Sequence, residues 1–351
     1  TDYWLNAERP TVLVATVEKA DALMRYLAPF ILGRLRLLII DEAHQVVPSA
    51  QALRMFARHS ERSLKLESLG TRIVARLPGL PRIALTAVAG GAAGPVARWM
   101  EQDAEGVPIG LNYRSTRQVM GVFETKPEGA PVISLDVVNG APVHVAGRGQ
   151  APYINLRTIP MPRLPAKFRD SLNRFNQTDV LWTALQLKSN NQKILISLMQ
   201  EPEQTMQWYC EALKQKEWEE VAKFEAPEGQ KLGSLYEEAL AATADYCGAD
   251  SFEHDLLLHG IATSHGQMPQ RVRRLMTQCI EQGICPITVA TATLTEGVNL
   301  PFDIIFLTQL RRRSFDPQTR RPIIAPLSTS EFRNLAGRAG RPGSAGGMEG
   351  M

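Results

Sequence analysis

The chain contains short, continuous apolar runs separated by stretches whose apolar residues recur at helical spacing. Leu37-Leu-Ile-Ile40 is the clearest of these runs, and it ends on Asp41. Because every residue of such a run is apolar, rather than every second one, the strand it predicts is buried on both faces. Strands of this kind that alternate with helices are typical of parallel sheets covered by helices. The sequence therefore predicts an α/β fold.

This alternation occurs in two regions, one on each side of a stretch in which proline recurs. The predicted strands cover residues 11–16, 37–40 and 82–85 in the first region and residues 193–197, 287–290 and 304–307 in the second. Between the regions, Val132-Ile-Ser-Leu and Val143-His-Val flank Asn139-Gly140, which is typical of a β-hairpin. We therefore expect a first lobe over residues 1–115, a linker with a small β-excursion over 116–166 and a second lobe over 167–351.

The composition argues against several classes of protein, among them zinc-bound, disulfide-rich and membrane-spanning ones. Lysine and arginine number 39 against 36 aspartate and glutamate, so the net charge of +3 says little about the partner. The four cysteines are too few and too scattered for a disulfide scaffold. None forms a CxxC pair, which argues against a structural zinc site. No apolar run approaches the roughly 20 residues that span a bilayer, and no signal peptide is visible. We expect a protein of a reducing, cytoplasmic setting without a membrane partner.

Two carboxylates follow the clearest strand directly, in the segment Asp41-Glu42-Ala43-His44. Ligands of open parallel sheets bind where the strands end, so these side chains are placed for chemistry. Asp41 is suited to a hydrated Mg²⁺, and Glu42 is suited to orient and deprotonate an attacking water. The alternative is an acidic cap at the start of a helix.

Two further segments carry candidate site residues. Asn334-Leu-Ala-Gly-Arg338-Ala-Gly-Arg341 places two arginines on one side of a helical turn, beside glycines that permit close approach. Arginine suits multidentate phosphate contact, although a flexible basic tail is the alternative. Thr291-Ala-Thr293-Leu-Thr-Glu-Gly297-Val-Asn299 follows a predicted strand, and its hydroxyls can bind phosphates or sugars. A capped strand-to-helix turn is the alternative there.

In this order along the chain, the three segments resemble the motifs of superfamily 2 helicases with a DEAH-type Walker B box. The resemblance is strongest to the Ski2-like group, which includes the Hel308 and Brr2 relatives. Further matching segments are Ala15-Thr-Val-Glu-Lys19, Leu85-Thr-Ala-Val88 and Gly260-Ile-Ala-Thr-Ser-His-Gly-Gln-Met268. The resemblance implies two RecA-like lobes with parallel sheets.

The resemblance also implies ATP and Mg²⁺ as cofactors and single-stranded nucleic acid, either DNA or RNA, as the partner. For the ATP site it implies Mg²⁺ binding by Asp41, activation of water by Glu42, and contact of Arg338 and Arg341 with the γ-phosphate. The residues implied to bind the nucleotide or couple its site to the rest of the protein are His44, Thr86, Gly297 and Asn299. The residues implied to line the nucleic-acid track are Thr16, Glu18, Thr291 and Thr293.

One motif of that family is missing, namely the phosphate-binding loop Gly-x-x-x-x-Gly-Lys-Ser/Thr. No Gly-Lys-Ser or Gly-Lys-Thr occurs in the 351 residues. We expect the loop upstream of Thr1, so that the first lobe is N-terminally incomplete and the chain alone is inactive. The alternative is a non-catalytic nucleic-acid-binding or scaffolding relative that lost the loop. We expect accessory domains or partner proteins in the parent, and Gly337-Arg-Ala-Gly-Arg341 argues against a different class of P-loop ATPase.

Overall fold

The structure is a computed structural model that forms two compact units. The described residues are 2–47, 62–86, 92–109, 117–118, 121–124, 132–135, 157–165, 171–188, 192–198, 202–291, 300, 302–315, 321–327, 332, 335–340 and 349–350. Unit 1 comprises residues 1–113 with 315–323, and unit 2 comprises residues 114–314 with 324–351. None of the described helices combines the length and the apolar character needed to cross a membrane. The expected bounds of the two lobes and the linker stay predictions.

Helices and short strands alternate along the chain. The helices are α1 (Asp2–Asn6), α2 (Val17–Tyr26), α3 (Ala28–Arg34), α4 (Arg62–Arg76), α5 (Ala93–Glu101), α6 (Leu172–Leu187), α7 (Pro202–Leu213), α8 (Gln230–Cys247), α9 (Phe252–Leu258) and α10 (Gln270–Glu281). The strands are β1 (Leu38–Ile40), β2 (Arg82–Ala84), β3 (Arg117–Gln118), β4 (Gly121–Glu124), β5 (Val132–Leu135), β6 (Arg157–Pro160), β7 (Ile194–Leu198), β8 (Ile261–Ser264), β9 (Ile287–Thr291), β10 (Ile304–Leu307), β11 (Arg311–Phe315), β12 (Pro322–Pro326) and β13 (Glu349–Gly350).

Several helices begin at a hydroxyl side chain that satisfies an otherwise unpaired backbone N–H. Thr16 accepts from the N–H of Lys19 at the start of α2, at 3.4 Å. Ser171 and Ser251 accept in the same way at the starts of α6 and α9, at 3.2 and 3.3 Å. These caps fix where each helix begins, because the first N–H groups of a helix have no partner within it.

A parallel four-stranded sheet lies at the centre of unit 2, in the order β10-β7-β9-β8. Every residue of β7 is buried, since the strand has a neighbour on each side and helices on both faces. One face of the sheet packs against α6 and α7, and the other packs against α8 and α10. The predicted α/β class with parallel sheets is confirmed.

Unit 1 contains a smaller parallel pair, β1 and β2, in which Ile39 lies beside Ile83. The side chains of Ile40 and its neighbours on that face pack into a core with α4 and α5. On the opposite face the two isoleucines are 54% and 45% exposed, and Leu37 and Leu85 are exposed as well. The described part of unit 1 therefore presents one covered and one solvent-facing side of this sheet. We name these four exposed residues the apolar face.

The predicted strand at 11–16 is wrong. The structure has no strand there, and Val12 and Val14 are 84% and 89% exposed. An apolar, β-branched composition favours a strand only where a neighbouring strand completes the hydrogen-bond ladder. No such neighbour occurs among the described residues, and the segment instead leads to the cap at Thr16.

The predicted hairpin between the regions pairs differently from the prediction. β5 is the middle strand of an antiparallel sheet and pairs with β4 on one edge and β6 on the other. Both edges of β5 are therefore occupied by described strands. The other predicted hairpin strand, residues 143–145, lies outside the described residues. The Asn-Gly signal predicts a turn from local sequence alone, whereas the pairing depends on strands more distant in the chain.

Candidate functional site

The acidic segment of unit 1 lies at the carboxyl edge of the β1-β2 pair. Asp41 follows β1 directly, and its carboxylate accepts a hydrogen bond from the N–H of Glu42 at 2.9 Å. The N–H of Ala43 donates to Leu85 at 2.8 Å, which ties the end of β1 to the end of β2. Buried Ile40 and Ala43 anchor the segment on each side of the two carboxylates. The Asp41 side chain is exposed, whereas the Oε2 atom of Glu42 is buried.

Glu42 has a left-handed backbone conformation, with φ 52° and ψ 39°. Residues other than glycine adopt this region at a cost, which structures retain mainly where function or packing demands it. The carboxylate Oε2 of Glu42 lies 3.2 Å from Nδ1 of His44, a close contact without hydrogen-bond geometry. Nδ1 of His44 also lies 3.3 Å from the hydroxyl of Thr86. Four predicted site residues, Asp41, Glu42, His44 and Thr86, are therefore brought together.

The chemistry of this edge fits a hydrated Mg²⁺. Asp41 is exposed, and the one hydrogen bond to its carboxylate leaves acceptor positions available for a metal-bound water or the ion itself. Among the described residues no group of three or more metal-ligating side chains occurs. Mg²⁺ commonly retains several waters and takes only one or two protein carboxylates, so a single aspartate suits it.

The predicted track residues of unit 1 lie at the start of α2. Thr16 is the cap of that helix and is exposed, and Glu18 lies in its first turn. The next residue inward, Val17, packs on the same core cluster as Ile40 and Ala43. The helix start and the acidic segment therefore share one piece of core within unit 1.

Arg338 lies in unit 2 and is almost completely buried. Its carbonyl accepts from the N–H of Phe302 at 3.3 Å, and the N–H of Gly340 donates to the carbonyl of Phe302 at 2.8 Å. Gly340 has φ +70°, a conformation that a side chain would strain. The arginine backbone is thus fixed against the segment that leads into β10. Arg341, Gly297, Asn299 and Thr293 lie outside the described residues.

A cleft of about 670 Å³ opens at the carboxyl edge of the unit 2 sheet. Thr291, a predicted track residue, lines it at the end of β9. The other residues that line it are Pro202, Glu203, Gln204, Gln207, Phe252, His265, Gly266 and Gln267. Among the described residues that line the cleft there is no lysine or arginine, and Glu203 carries a carboxylate. Ligands bind at such edges of parallel sheets.

His265 forms the inner wall of this cleft and is only 5% exposed. Its Nε2 lies 2.9 Å from Oε1 of Glu253, and this hydrogen bond lowers the pKa of that glutamate. The glutamate therefore stays ionised and assigns the Nε2 proton to the histidine as donor. Nδ1 of His265 is buried without a hydrogen-bond partner among the described residues.

Arg273, on the first turn of α10, holds the loop that follows β8. Its Nη2 donates to three backbone carbonyls, those of His265, Gly266 and Met268, at 3.1 Å each. The N–H of Met268 also donates to the carbonyl of His265 at 3.2 Å, which closes a turn. We name residues 265–268 the strand-end loop.

Sequence reasoning missed the cleft and the contacts of Arg273. β8 was not predicted, because Ile-Ala-Thr-Ser lacks the continuous apolar character of the other strands. The four residues are nonetheless fully buried beside β9. The sequence did contain a signal for the cleft. The residues that follow β7, β8 and β9 must lie at one edge of the sheet, because parallel strands all end at the same edge.

Comparison with known proteins gives relatives of one kind, although no protein-family model matches the chain. The ATP-dependent DNA helicase Hel308 of Pyrobaculum calidifontis is 37% identical over 117 residues, which are 33% of this chain and 15% of that protein. Hel308 of Caldivirga maquilingensis is 25% identical over 345 residues, which are 97% of this chain and 37% of that protein. The pre-mRNA-splicing factor brr2 of Schizosaccharomyces pombe is 32% identical over 138 residues, 36% of this chain and 6% of that protein.

The match to the second Hel308 runs through nearly the whole chain, while the chain spans at most 37% of the length of these relatives. The match implies RecA-like lobes, in keeping with the parallel sheet of unit 2 and the parallel pair of unit 1. The predicted resemblance to the Ski2-like helicases is confirmed, because these relatives include Hel308 and brr2. The chain is a homologue of the Ski2-like helicases of superfamily 2.

Proposed function

We propose that this chain supplies the water-activating and nucleic-acid-binding residues of an ATP-dependent helicase or translocase. The observation that carries the proposal is the cluster at the edge of β1-β2. There a carboxylate pair follows β1, and Nδ1 of His44 lies 3.2 Å from the Glu42 carboxylate and 3.3 Å from the Thr86 hydroxyl. Strand-end carboxylates of this kind suit phosphoryl transfer from a nucleotide to water.

Glu42 is the proposed general base, and it lies at the end of β1 in a left-handed backbone conformation. Asp41 is the proposed ligand of Mg²⁺, which when bound would offset the negative charge of the nucleotide phosphates. Arg338 and Arg341 are the proposed phosphate-contacting arginines, and Gly297 and Asn299 are the proposed nucleotide contacts. His44 and Thr86 are proposed to connect the ATP site to the nucleic-acid site, since their side chains lie within 3.3 Å.

The unit 2 cleft is the proposed contact with one strand of nucleic acid. It lies at a sheet edge, Thr291 lines it, and its described lining residues offer backbone and amide groups rather than cations. Such groups contact the sugar-phosphate backbone without reading base identity, so either DNA or RNA is accommodated. Thr293, Thr16 and Glu18 are proposed to extend the same track.

ATP hydrolysis also needs a phosphate-binding loop, and the 351 residues contain no Gly-Lys-Ser or Gly-Lys-Thr. We propose that a longer parent protein supplies this loop, because the chain spans at most 37% of the relatives it matches. The missing loop also favours a second candidate, a nucleic-acid-binding relative that does not hydrolyse ATP. The two candidates differ in one measurable activity.

The test measures ATP hydrolysis by the full-length protein with and without single-stranded DNA and RNA, at one stated salt concentration. We expect stimulation by nucleic acid. Glu42→Gln should lower kcat about a hundredfold or more, because the carboxamide cannot accept a proton from water. ATP binding should persist in this variant, since the side chain keeps its shape. The control is Glu105→Gln, the same change at an exposed position of unit 1.

Unchanged hydrolysis in Glu42→Gln would refute the role of the acidic segment. Nucleic-acid binding without any hydrolysis in the wild-type parent would instead establish the non-catalytic candidate.

A further inference from the structure

Two of the four cysteines lie together in the core of unit 2. Cys279 is in the last turn of α10, and Cys285 comes just before β9. Both belong to the cluster that packs α8 and α10 against one face of the sheet, and both are free thiols. The proposed function uses neither of them, so their proximity requires its own explanation.

The turn that ends α10 brings these two residues close. The N–H of Gly283 donates to the carbonyl of Ile280 at 3.1 Å, and the N–H of Ile284 donates to the carbonyl of Cys279 at 2.9 Å. Gly283 has φ +73°, the left-handed conformation that such a turn requires. This pattern is a Schellman motif, in which residues before and after the reversal pack against each other. Because Cys285 directly follows Ile284, the turn places it beside Cys279.

The two thiol groups interact inside the core, where their residues are 0% and 1% exposed. A hydrogen bond between Cys285 and Cys279 lowers the pKa of the Cys279 thiol, and the same bond together with burial raises the pKa of Cys285. In contrast, burial raises the pKa of Cys210 to about 12 and also raises the pKa of Cys247. The thiolate is the reactive form of cysteine, so Cys279 is the thiol of this chain that is best disposed to react.

Two neighbouring thiols can help to hold a metal ion, or they can form a disulfide. A structural zinc ion takes four ligands, and among the residues that the structure describes no group of three or more candidate ligands occurs. A disulfide needs only two sulfur atoms that can come into bonding contact. The interaction between these two thiols therefore favours disulfide chemistry over metal binding.

We propose that Cys279 and Cys285 are a redox-active pair that closes to a disulfide when a peroxide oxidises the chain. The Cys279 sulfur attacks one peroxide oxygen, the O–O bond breaks, and the released oxygen leaves as water with the thiol proton of Cys279. The Cys285 sulfur then attacks the resulting sulfenic acid, the S–O bond breaks, and the hydroxyl group leaves as water with the Cys285 proton. The two thiols are oxidised by two electrons in total, and the peroxide is reduced to water.

The end of α10 gives the oxidant a route to the buried pair. Glu281, Gln282 and Gly283 are exposed and lie between the two cysteines along the chain. Helix ends open locally at a lower cost than core elements, so oxidation should proceed slowly without global unfolding. The disulfide would join the end of α10 to the start of β9, whose other end carries Thr291 at the cleft.

The experiment treats the folded 351-residue chain with hydrogen peroxide, blocks the remaining thiols with N-ethylmaleimide in denaturant and cleaves the chain after glutamate. Cleavage at Glu281 separates the peptides of Cys279 and Cys285 unless a disulfide joins them. Mass spectrometry should find the joined peptides in the wild-type chain, and dithiothreitol should separate them. The matched control is Cys247→Ala, which removes a thiol outside the pair and should give the same joined peptides.

Two single variants test the order of the steps. Cys285→Ala should stop the reaction at the sulfenic acid of Cys279, which dimedone traps, and Cys279→Ala should give several-fold less trapped product. Equal trapping in the two variants would overturn the assignment of Cys279 as the attacking thiol.

The wild-type chain decides the proposal even if the alanine variants do not fold. The pair is refuted if its peptides stay separate at peroxide concentrations that oxidise Cys247, or if either cysteine is found joined to Cys210 or Cys247 instead.

Discussion

Asp179 lies in the middle of α6, with neither carboxylate oxygen hydrogen-bonded among the described residues. The residue is fully buried, and burial raises its pKa to about 7 from an ordinary value of 3.8. A raised carboxyl pKa means that the folded state binds the proton more tightly than the unfolded state does. The contribution of Asp179 to stability is therefore most favourable below about pH 4 and becomes less favourable as the pH rises towards 7.

Asp179→Asn should stabilise unit 2 at pH 8, because the amide removes the buried charge. The gain should be on the order of 4 kcal/mol at most, from about 1.4 kcal/mol per unit of pKa difference, and it should shrink towards pH 4. Thermal and urea unfolding across this range measure it. The control is Asp245→Asn at an exposed position of α8, and an equal gain at all pH values would contradict the prediction.

For Glu203, the direction in which a substitution changes oligonucleotide affinity can be predicted. Its carboxylate is exposed on the wall of a cleft that we propose to hold nucleic-acid backbone, so it repels the ligand. Glu203→Gln should tighten oligonucleotide binding several-fold at low salt, with a smaller effect at high salt because ions screen the repulsion. Glu228→Gln, at an exposed position away from the cleft, should leave affinity unchanged. Weaker binding by Glu203→Gln would mean that the carboxylate contacts the ligand favourably.

At the scale of elements, the contact between α4 and α5 depends on one glycine. A Cβ added at Gly70 would lie 2.5 Å from the ring of Trp99, whose indole N–H donates to Thr71 at 3.1 Å. Because that hydrogen bond restrains the ring, Gly70→Ala should destabilise unit 1 by about 1–3 kcal/mol. Gly33→Ala in α3 meets no atom within 4 Å and should instead stabilise by up to about 1 kcal/mol. Denaturant unfolding of both variants tests whether the free energy of unfolding falls in Gly70→Ala and rises in Gly33→Ala.

Elements whose burial follows from their own sequence were predicted best. β10 has the predicted bounds, since Ile304-Ile-Phe-Leu307 is apolar throughout. The strand β8 and the coil at 11–16 were predicted wrongly. Whether these segments form strands depends on neighbouring strands rather than on their own composition. The acidic cluster of unit 1 was predicted because its residues are consecutive or follow adjacent strands, whereas the contact of Arg273 with the loop appears only when side chains are placed. The roles of the site residues stay predictions.

For the whole molecule, the apolar face of unit 1 predicts behaviour in solution. Ile39 and Ile83 lie side by side and are about half exposed, and Leu37 and Leu85 continue the same face. A contiguous exposed apolar surface promotes association. The double substitution Ile39→Thr with Ile83→Thr should reduce concentration-dependent self-association and binding of a hydrophobic dye, and should not lower the unfolding temperature. Light scattering and dye fluorescence measure the two effects.

The control for that surface is the neighbouring Ile40, which is buried in the core of unit 1. Ile40→Thr should lower stability without reducing association. If the double variant associates as strongly as the wild-type chain, the apolar face is not the surface responsible.

The 351-residue chain by itself should hydrolyse ATP slowly or not at all. It has the carboxylates of the acidic segment but no Gly-Lys-Ser or Gly-Lys-Thr to hold the phosphates. Phosphate release measured with and without single-stranded nucleic acid checks this expectation. Turnover that nucleic acid stimulates in this chain would show that other residues hold the phosphates.

Arg273 belongs to α10 but holds the loop that precedes it, so helix and loop are mechanically one piece. A tilt or slide of α10 would move the strand-end loop, which forms part of the cleft wall. Conversely, a ligand seated on the loop would resist movement of the helix. Because α10 packs with α8 against one face of the unit 2 sheet, we expect a displacement of its far end to change the shape of the cleft. Through the guanidinium group of Arg273, a movement of α10 would therefore be passed on to the strand-end loop.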